Sequence, residues 1–275
     1  MRIALTTDSY LPRLGGQEMG AFRLAKYLQR RGNSVRIITT EKHPHAGDEP
    51  GGLDVWRAPH AFGPVSRRSL RRLLEVEFRK ADVVHSRYCY RLAALSAPVA
   101  RALSRRFVVS LHGLGLLDNP QDSAIRKWRH LRYRRSSLAL ADAVIATSRE
   151  FARLAAAYCD PRKIVVIPNG VDTDDFSASR AAPESLSRKY RSEQVVLAIR
   201  RLVPKNGIQY LVQAAPRILK SCPETRFIIG GWGSQEAELK RLAEGLGVAP
   251  RFDFVGAVPN AEVPHYLSLA PLVVL

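Results

Sequence analysis

Residues 195–207 read VVLAIRRLVPKNG, an apolar run rich in Val and Ile that ends abruptly in two arginines, a proline and a Lys-Asn-Gly turn. Such a run is predicted as a buried strand. Ile208, Leu211, Val212, Ala215, Ile218 and Leu219 follow at helical spacing. The loop carrying Arg201 and Lys205 therefore lies between the carboxyl end of a strand and the amino end of a helix, where open α/β sheets bind ligands. Two cations beside unpaired helix N–H groups suit a phosphate or diphosphate, and a solvated basic loop would have the same sequence.

The same strand, loop and helix pattern recurs on both sides of this stretch. Toward the amino terminus, strands are predicted at 3–7, 35–40, 53–58, 83–86, 107–111, 143–147 and 164–167. The loop at 8–16, DSYLPRLGG, ends in Gly15-Gly16 and opens a helix with Phe22, Leu24, Ala25 and Leu28 on its apolar stripe and Gly32 placed for a left-handed cap. This glycine pair is a second candidate anion site, because backbone alone would line the approach to the helix start. The third glycine of a dinucleotide fingerprint is missing. His112, beside Gly113 at the carboxyl end of the strand at 107–111, is placed to meet a ligand in a crevice. Toward the carboxyl terminus, strand 226–229 ends in a Gly-Gly-Trp-Gly turn, with Ser234 as the next helix cap. Strand 252–255 closes in Gly256-Ala257-Val258-Pro259, with Asn260 as the following cap, and a last strand is predicted at 272–275. The chain is thus predicted as α/β, two Rossmann-like doubly wound parallel sheets: residues 1–176, a linker at 177–193, and residues 194–275, the second sheet incomplete.

Composition narrows the class. The chain has 275 residues, 46% hydrophobic content and a formal charge of +18, enough to bury a substantial core and basic enough to favour a polyanionic contact. No apolar run approaches the ~20 residues that span a bilayer, and no signal-peptide pattern opens the chain. Cys89, Cys159 and Cys222 are widely separated, which fits a reducing, cytoplasmic compartment without a disulfide framework.

Several segments admit two readings. The basic amphipathic helix at 67–80, with Leu70, Leu73, Leu74 and Phe78 on one side, either lies on an anionic membrane or packs its leucines on the domain and solvates its arginines. A second basic helix at 125–135 interleaves Trp128, His130 and Tyr133 without a helix-turn-helix, zinc or RNP signature of nucleic-acid binding. Pro98 is expected to kink or break the helix at 91–104. His43 and His45 lack a metal-ligating partner at sensible spacing, and Asp172, Asp174 and Asp175 suit turn formation as well as metal or acid chemistry.

Taken in order, PRLGGQEMGAFRLAKYLQRRGNSVRIITT, VVHSRY, VVSLHGLG, ADAVIATSREFARLAAAYCDPRKIVVIPNGVDTDDF, VLAIRRLVPKNGIQYLVQAAPRI and RFIIGGWGSQEAELKRLAEGLGVAPRFDFVGAVPNAEVPHYLSLAPLVVL resemble the group 1 family of retaining glycosyltransferases. The resemblance implies the GT-B fold, two Rossmann-like domains facing a cleft, and transfer of a sugar from a nucleotide-diphosphate sugar to a lipid-linked, polysaccharide or small-molecule acceptor with retention at the anomeric carbon. It implies that Gly15 and Gly16 let the first helix approach the donor diphosphate and that His112 lies beside the transferred sugar. Arg201 matches the diphosphate-binding arginine, Lys205 stands near the position of its lysine partner, and Gly256, Ala257 and Val258 match backbone that contacts the nucleobase. Asn206 and Gly231 complete the implied substrate-binding set. No metal or other cofactor is implied, because Arg, Lys and helix dipoles can meet the charge of the departing diphosphate.

The chain departs from the family pattern at Arg200, which stands for a glycine, at Asn206, which stands for the lysine found one place earlier here, and at Trp232, which replaces an acidic residue. The family's paired-glutamate motif would begin beyond Leu275, so this chain is expected to be weakly active or inactive as it stands. Peripheral contact with an anionic membrane is expected as an accompaniment, and nucleic acid is not. The competing readings are a basic non-catalytic module binding a membrane or nucleic acid, and a sugar-nucleotide epimerase of the same architecture.

Overall fold

The computed structural model describes residues 1–12, 15–40, 52–58, 64–112, 123–176, 181–191 and 193–275. The histidines at 43 and 45, Gly113 and part of the expected linker lie outside the described residues. The chain divides into two compact units, residues 1–169 and 170–275.

The first unit runs β1 (Arg2–Thr7), α1 (Gly16–Arg30), β2 (Ser34–Thr39), β3 (Asp54–Arg57), α2 (Pro64–Arg79), β4 (Val83–Ser86), α3 (Arg91–Ala102), β5 (Arg106–Leu111), α4 (Ala124–Ala139), β6 (Ala143–Ala146), α5 (Arg149–Ala155) and β7 (Ile164–Val166). Its seven strands pair in parallel in the order β3-β2-β1-β4-β5-β6-β7. The second unit runs α6 (Glu184–Lys189), β8 (Gln194–Ile199), α7 (Ile208–Ser221), β9 (Thr225–Gly230), α8 (Glu236–Gly245), β10 (Phe252–Gly256), α9 (Val263–Leu269) and β11 (Leu272–Val273). Its four strands are parallel in the order β10-β9-β8-β11.

Both sheets are covered on two faces, which explains why their strands read as continuous apolar runs and not as alternating ones. Along β8, Val196 and Ala198 enter one core with Ile208, Val212 and Phe227, while Val195 and Leu197 enter the other with Tyr190 and Ile228. In β1, Ile3 and Leu5 pack with Ala21 and Ala25 of α1, while Ala4 belongs with Leu74, Phe78, Leu92 and Phe107. Each fully buried Leu, Val or Phe contributes about 1.5–3 kcal/mol of transfer free energy.

Helix ends depart most from expectation. Gly32 does adopt the left-handed conformation after α1 (φ +76°), and Ser148 caps α5 by accepting the Phe151 N–H. Pro98, however, does not break α3, which is continuous through it. Ala93, Ala97 and Ala100 bury the helix closely against the sheet, and this packing outweighs the lost hydrogen bond. Ser234 does not cap α8; Gln235 is the cap and offers no side-chain bond. The Gln235 N–H donates to Leu202 O (3.0 Å) and the Glu236 N–H to Gly233 O (3.2 Å), so the turn closes one residue later. Glu262, not Asn260, precedes α9, because its N–H closes a turn on Pro259 O (2.8 Å).

Candidate active site

In the first sheet, chain order reverses between β1 and β4, and the loops leaving adjacent strands diverge there to form a crevice. The loop after β1 carries Asp8 and Ser9. The Asp8 carboxylate accepts the Leu92 N–H (3.1 Å) in the first turn of α3, and burial pushes its pKa up to about 6 despite that bond and the charge of Arg91. Gly15 caps α1 without a side-chain bond. A Cβ on Gly15 would come within 2.5 Å of a Glu18 carboxylate oxygen, whereas one on Gly16 would meet nothing within 4 Å. Glu18 is buried and accepts a hydrogen bond from the Ser9 hydroxyl. The expectation that backbone alone lines this helix start does not hold: the chain's own carboxylate folds back beside Gly15.

The ends of β4 and β5 supply the rest of this half. His85 Nε2 lies 2.7 Å from Ser110 Oγ, and burial, aided by the charge of Arg87, pushes its pKa down to about 3. Burial and then Arg87 likewise hold His112 down at about 4, with a hydrogen bond from the ring to the Asn169 side chain opposing them. The His112 Nε2 atom is enclosed with no hydrogen-bond partner among the described residues, and the ring lies 5.5 Å from that of Tyr88. At neutral pH His112 is thus an uncharged imidazole. Arg87 is itself nine-tenths buried (7% exposed). A Cβ on Gly20 of α1 would come within 2.6 Å of its Nη2, so the guanidinium occupies space that this glycine leaves open. The sequence singles out His112 alone here. Arg87, Tyr88 and Asn169 join it only in the fold, and their sole signal is position directly after the strands at 83–86 and 164–166.

In the second unit, the loops after β8, β9 and β10 are knitted backbone to backbone. The N–H of Arg200 donates to Gly230 O (2.9 Å), that of Leu202 to Trp232 O (2.9 Å) and that of Gly231 to Gly256 O (2.6 Å). Gly231 has φ +131°, and a Cβ there would stand 1.8 Å from Arg200 O; a Cβ on Gly233 would stand 2.2 Å from Leu202 O. Gly230 packs so that a Cβ would touch Val258 Cγ2 at 2.9 Å. Asn206 Nδ2 donates to Arg201 O (2.7 Å) and braces the cationic loop from within. Gly207, at φ +73°, turns the chain into α7, whose first turn holds no acidic residue. Arg201 and Lys205 are exposed, and among the described residues neither forms an ion pair. Trp232 is exposed on the turn between the two crowded glycines.

The fold thus gathers Arg201, Asn206, Gly231, Gly256 and Val258 into one loop cluster at the carboxyl end of the second sheet, with Lys205 beside them and Ala257 between Gly256 and Val258. Gly15, Gly16 and His112 stand at the carboxyl end of the first. Among the described residues no three His, Cys, Asp or Glu side chains come together as metal ligands. The Asp172 carboxylate is turned to the Asp174 N–H (3.2 Å) in a local turn.

Residues 14–175 match the family model described as Glycosyltransferase Family 4, and residues 184–275 match that of Glycosyl transferases group 1. A phosphatidylinositol N-acetylglucosaminyltransferase subunit of Arabidopsis thaliana is 28% identical over 284 residues, 97% of this chain and 60% of the relative. The GDP-mannose-dependent alpha-(1-6)-phosphatidylinositol monomannoside mannosyltransferase of Mycobacterium tuberculosis is 28% identical over 285 residues, 98% of this chain and 71% of the relative. The chain therefore spans less than two thirds of the length of the plant protein. The crystal structure of Anabaena HepE in complex with UDP and glucose matches with a TM-score of 0.76 at 19% identity, covering 99% of this chain and 73% of that one. This likeness identifies the fold as GT-B, with two Rossmann-like domains.

Proposed function

Because this chain belongs to Glycosyltransferase Family 4, we propose that it transfers a sugar from a nucleotide-diphosphate sugar to an acceptor with retention at the anomeric carbon. The unpaired Arg201 and Lys205, held at the carboxyl end of β8 where α7 begins, carry this assignment. Cleavage of the sugar–phosphate bond leaves a nucleoside diphosphate with a new negative charge. Fixed cations and the positive end of a helix stabilise that charge without reorganising. The assignment gives this work to side chains and a helix dipole and requires no metal ion or cofactor. Gly231, Gly256, Ala257 and Val258 supply the backbone on which the nucleoside rests, and Asn206 keeps the Arg201 backbone in place. In the first unit, the reading places the start of α1 beside the donor diphosphate, with Gly16, where a Cβ would meet nothing within 4 Å, as the open position next to Gly15, and His112 beside the transferred sugar. A pKa near 4 makes His112 a positioning group and a poor general base at neutral pH.

Among acceptors, a lipid-linked one is favoured: the names of both relatives specify a phosphatidylinositol lipid. With such an acceptor, the proposal includes peripheral action at the cytoplasmic face of a membrane. Binding of UDP- and GDP-sugars, followed by thermal shift, tests the donor assignment. Arg201→Ala should weaken nucleotide diphosphate binding and, where transfer is followed, lower its rate by about 10²-fold or more. Unchanged binding and rate would remove Arg201 from the site.

A further inference from the structure

The two basic helices of the first unit differ in a way that only the structure displays. In α2, Leu70, Leu74 and Phe78 are committed to the core, with exposures of 3%, 0% and 0%, so the leucine stripe of this helix is taken up by the domain. In α4 the apolar residues of the outer stripe are exposed. Ile125, Trp128, Arg132 and Arg135 recur at helical spacing with Arg129 beside them, and all of these but Ile125 and Trp128 are cationic. Ile125 is 75% and Trp128 59% exposed. The opposite side of the helix, with Ser137 and Leu138, is buried in the domain. The Arg132 guanidinium lies 5.0 Å from the centre of the Trp128 ring. Residues 124–139, AIRKWRHLRYRRSSLA, contain no acidic residue. Among the described residues Arg129, Arg132 and Arg135 form no ion pair, whereas Arg2, Arg36, Arg188 and Arg226 on other surfaces do.

We propose that the outer face of α4 is a docking surface for an anionic lipid bilayer. Trp and Ile flanked by arginines match the boundary between acyl chains and phosphate headgroups, where an indole ring sits in the interface and guanidinium groups meet phosphate. Charge complementarity selects this occupant. A second copy of a chain with a formal charge of +18 would be repelled, and a nucleic-acid duplex has no apolar layer to receive Ile125. The purpose of such docking rests on the lipid-linked acceptor assigned above; the docking itself is tested with no acceptor or donor present.

The full chain is mixed with vesicles of phosphatidylcholine alone or of equal parts phosphatidylcholine and phosphatidylglycerol, and partition is measured by co-sedimentation. Binding to the anionic vesicles alone is expected, with a blue shift of tryptophan emission that disappears in Trp128→Phe. Each arginine near an anionic surface is worth about 5-fold in partition. The triple variant Arg129→Gln, Arg132→Gln, Arg135→Gln should therefore lose about 10²-fold, and Trp128→Ala about 5-fold. A control removing the same charge from α2 (Arg68→Gln, Arg71→Gln, Arg72→Gln) should lose less than about 5-fold. Equal losses in the two triple variants, no vesicle binding, or retention of a short DNA duplex in preference to vesicles would each overturn the proposal. Vesicle binding without transfer to any lipid would sink the acceptor assignment and leave the docking surface standing.

Discussion

Individual residues in the second unit show how a loop cluster is fixed by what side chains leave out. At Gly231 a methyl group would collide with the Arg200 carbonyl and would also force an L-residue into φ +131°. Gly231→Ala should cost about 2–4 kcal/mol, read as a lower urea midpoint, and should reduce nucleotide affinity in parallel. Trp232, next to it, is exposed and should tolerate Phe. The buried titratable groups of the first unit give a pH signature. His85 and His112, at about 3 and about 4, lie below the ordinary 6.5, so the unfolded chain binds more protons in that window. Stability is then lost as pH falls from 6.5 through the folded values. Asp8, raised to about 6 from 3.8, acts oppositely, favouring the folded chain at low pH and losing that contribution as pH rises through 6. Two histidines against one aspartate predict a net loss on acidification from pH 6.5 to 4. A chemical-denaturation series should show it, and His85→Gln should flatten it; a flat wild-type profile would contradict the buried neutral state of these rings.

At the level of elements, periodicity locates strands and helices to within a few residues, because a strand covered on both faces needs an unbroken apolar run and a helix needs a stripe. It fails at caps. Ser234 and Asn260 are good capping types in the wrong places, since the turns before α8 and α9 are closed by backbone bonds to Leu202, Gly233 and Pro259 that come from the fold and not from local preference. Pro98 leaves α3 unbroken for a related reason, tertiary burial of the helix overriding a local penalty. The two possibilities for α2 are likewise undecidable from its stripe, which looks the same against a lipid or a protein core. Its packing yields a direct contrast: Leu74→Ala should destabilise by about 2–4 kcal/mol, while Val76→Ala, on the outer side at 53% exposure, should stay within about 0.5 kcal/mol. Equal effects in a thermal melt would mean that the helix does not dock as described.

On the scale of the whole molecule, 43 basic residues against 25 acidic ones make self-repulsion a standing cost to the compact state. Adding neutral salt screens it, so the melting temperature should rise between low and physiological ionic strength. A fall would indicate that attractive pairs such as Arg226–Glu193 and Arg36–Glu77 outweigh the excess charge. The sequence by itself determined the alternation of strands and helices, the two parallel sheets and the cationic loop after β8, because these follow from periodicity and from residue types adjacent in the chain. Only the tertiary structure decided that Glu18 folds back beside Gly15, that Arg87, Tyr88 and Asn169 surround His112, and that α2 buries Leu70, Leu74 and Phe78 while α4 leaves Ile125 and Trp128 outside. The first is a short-range contact that residue type alone does not settle; the others depend on groups distant in sequence competing for the same space, and burial and hydrogen-bond partners across such distances leave no local pattern to read.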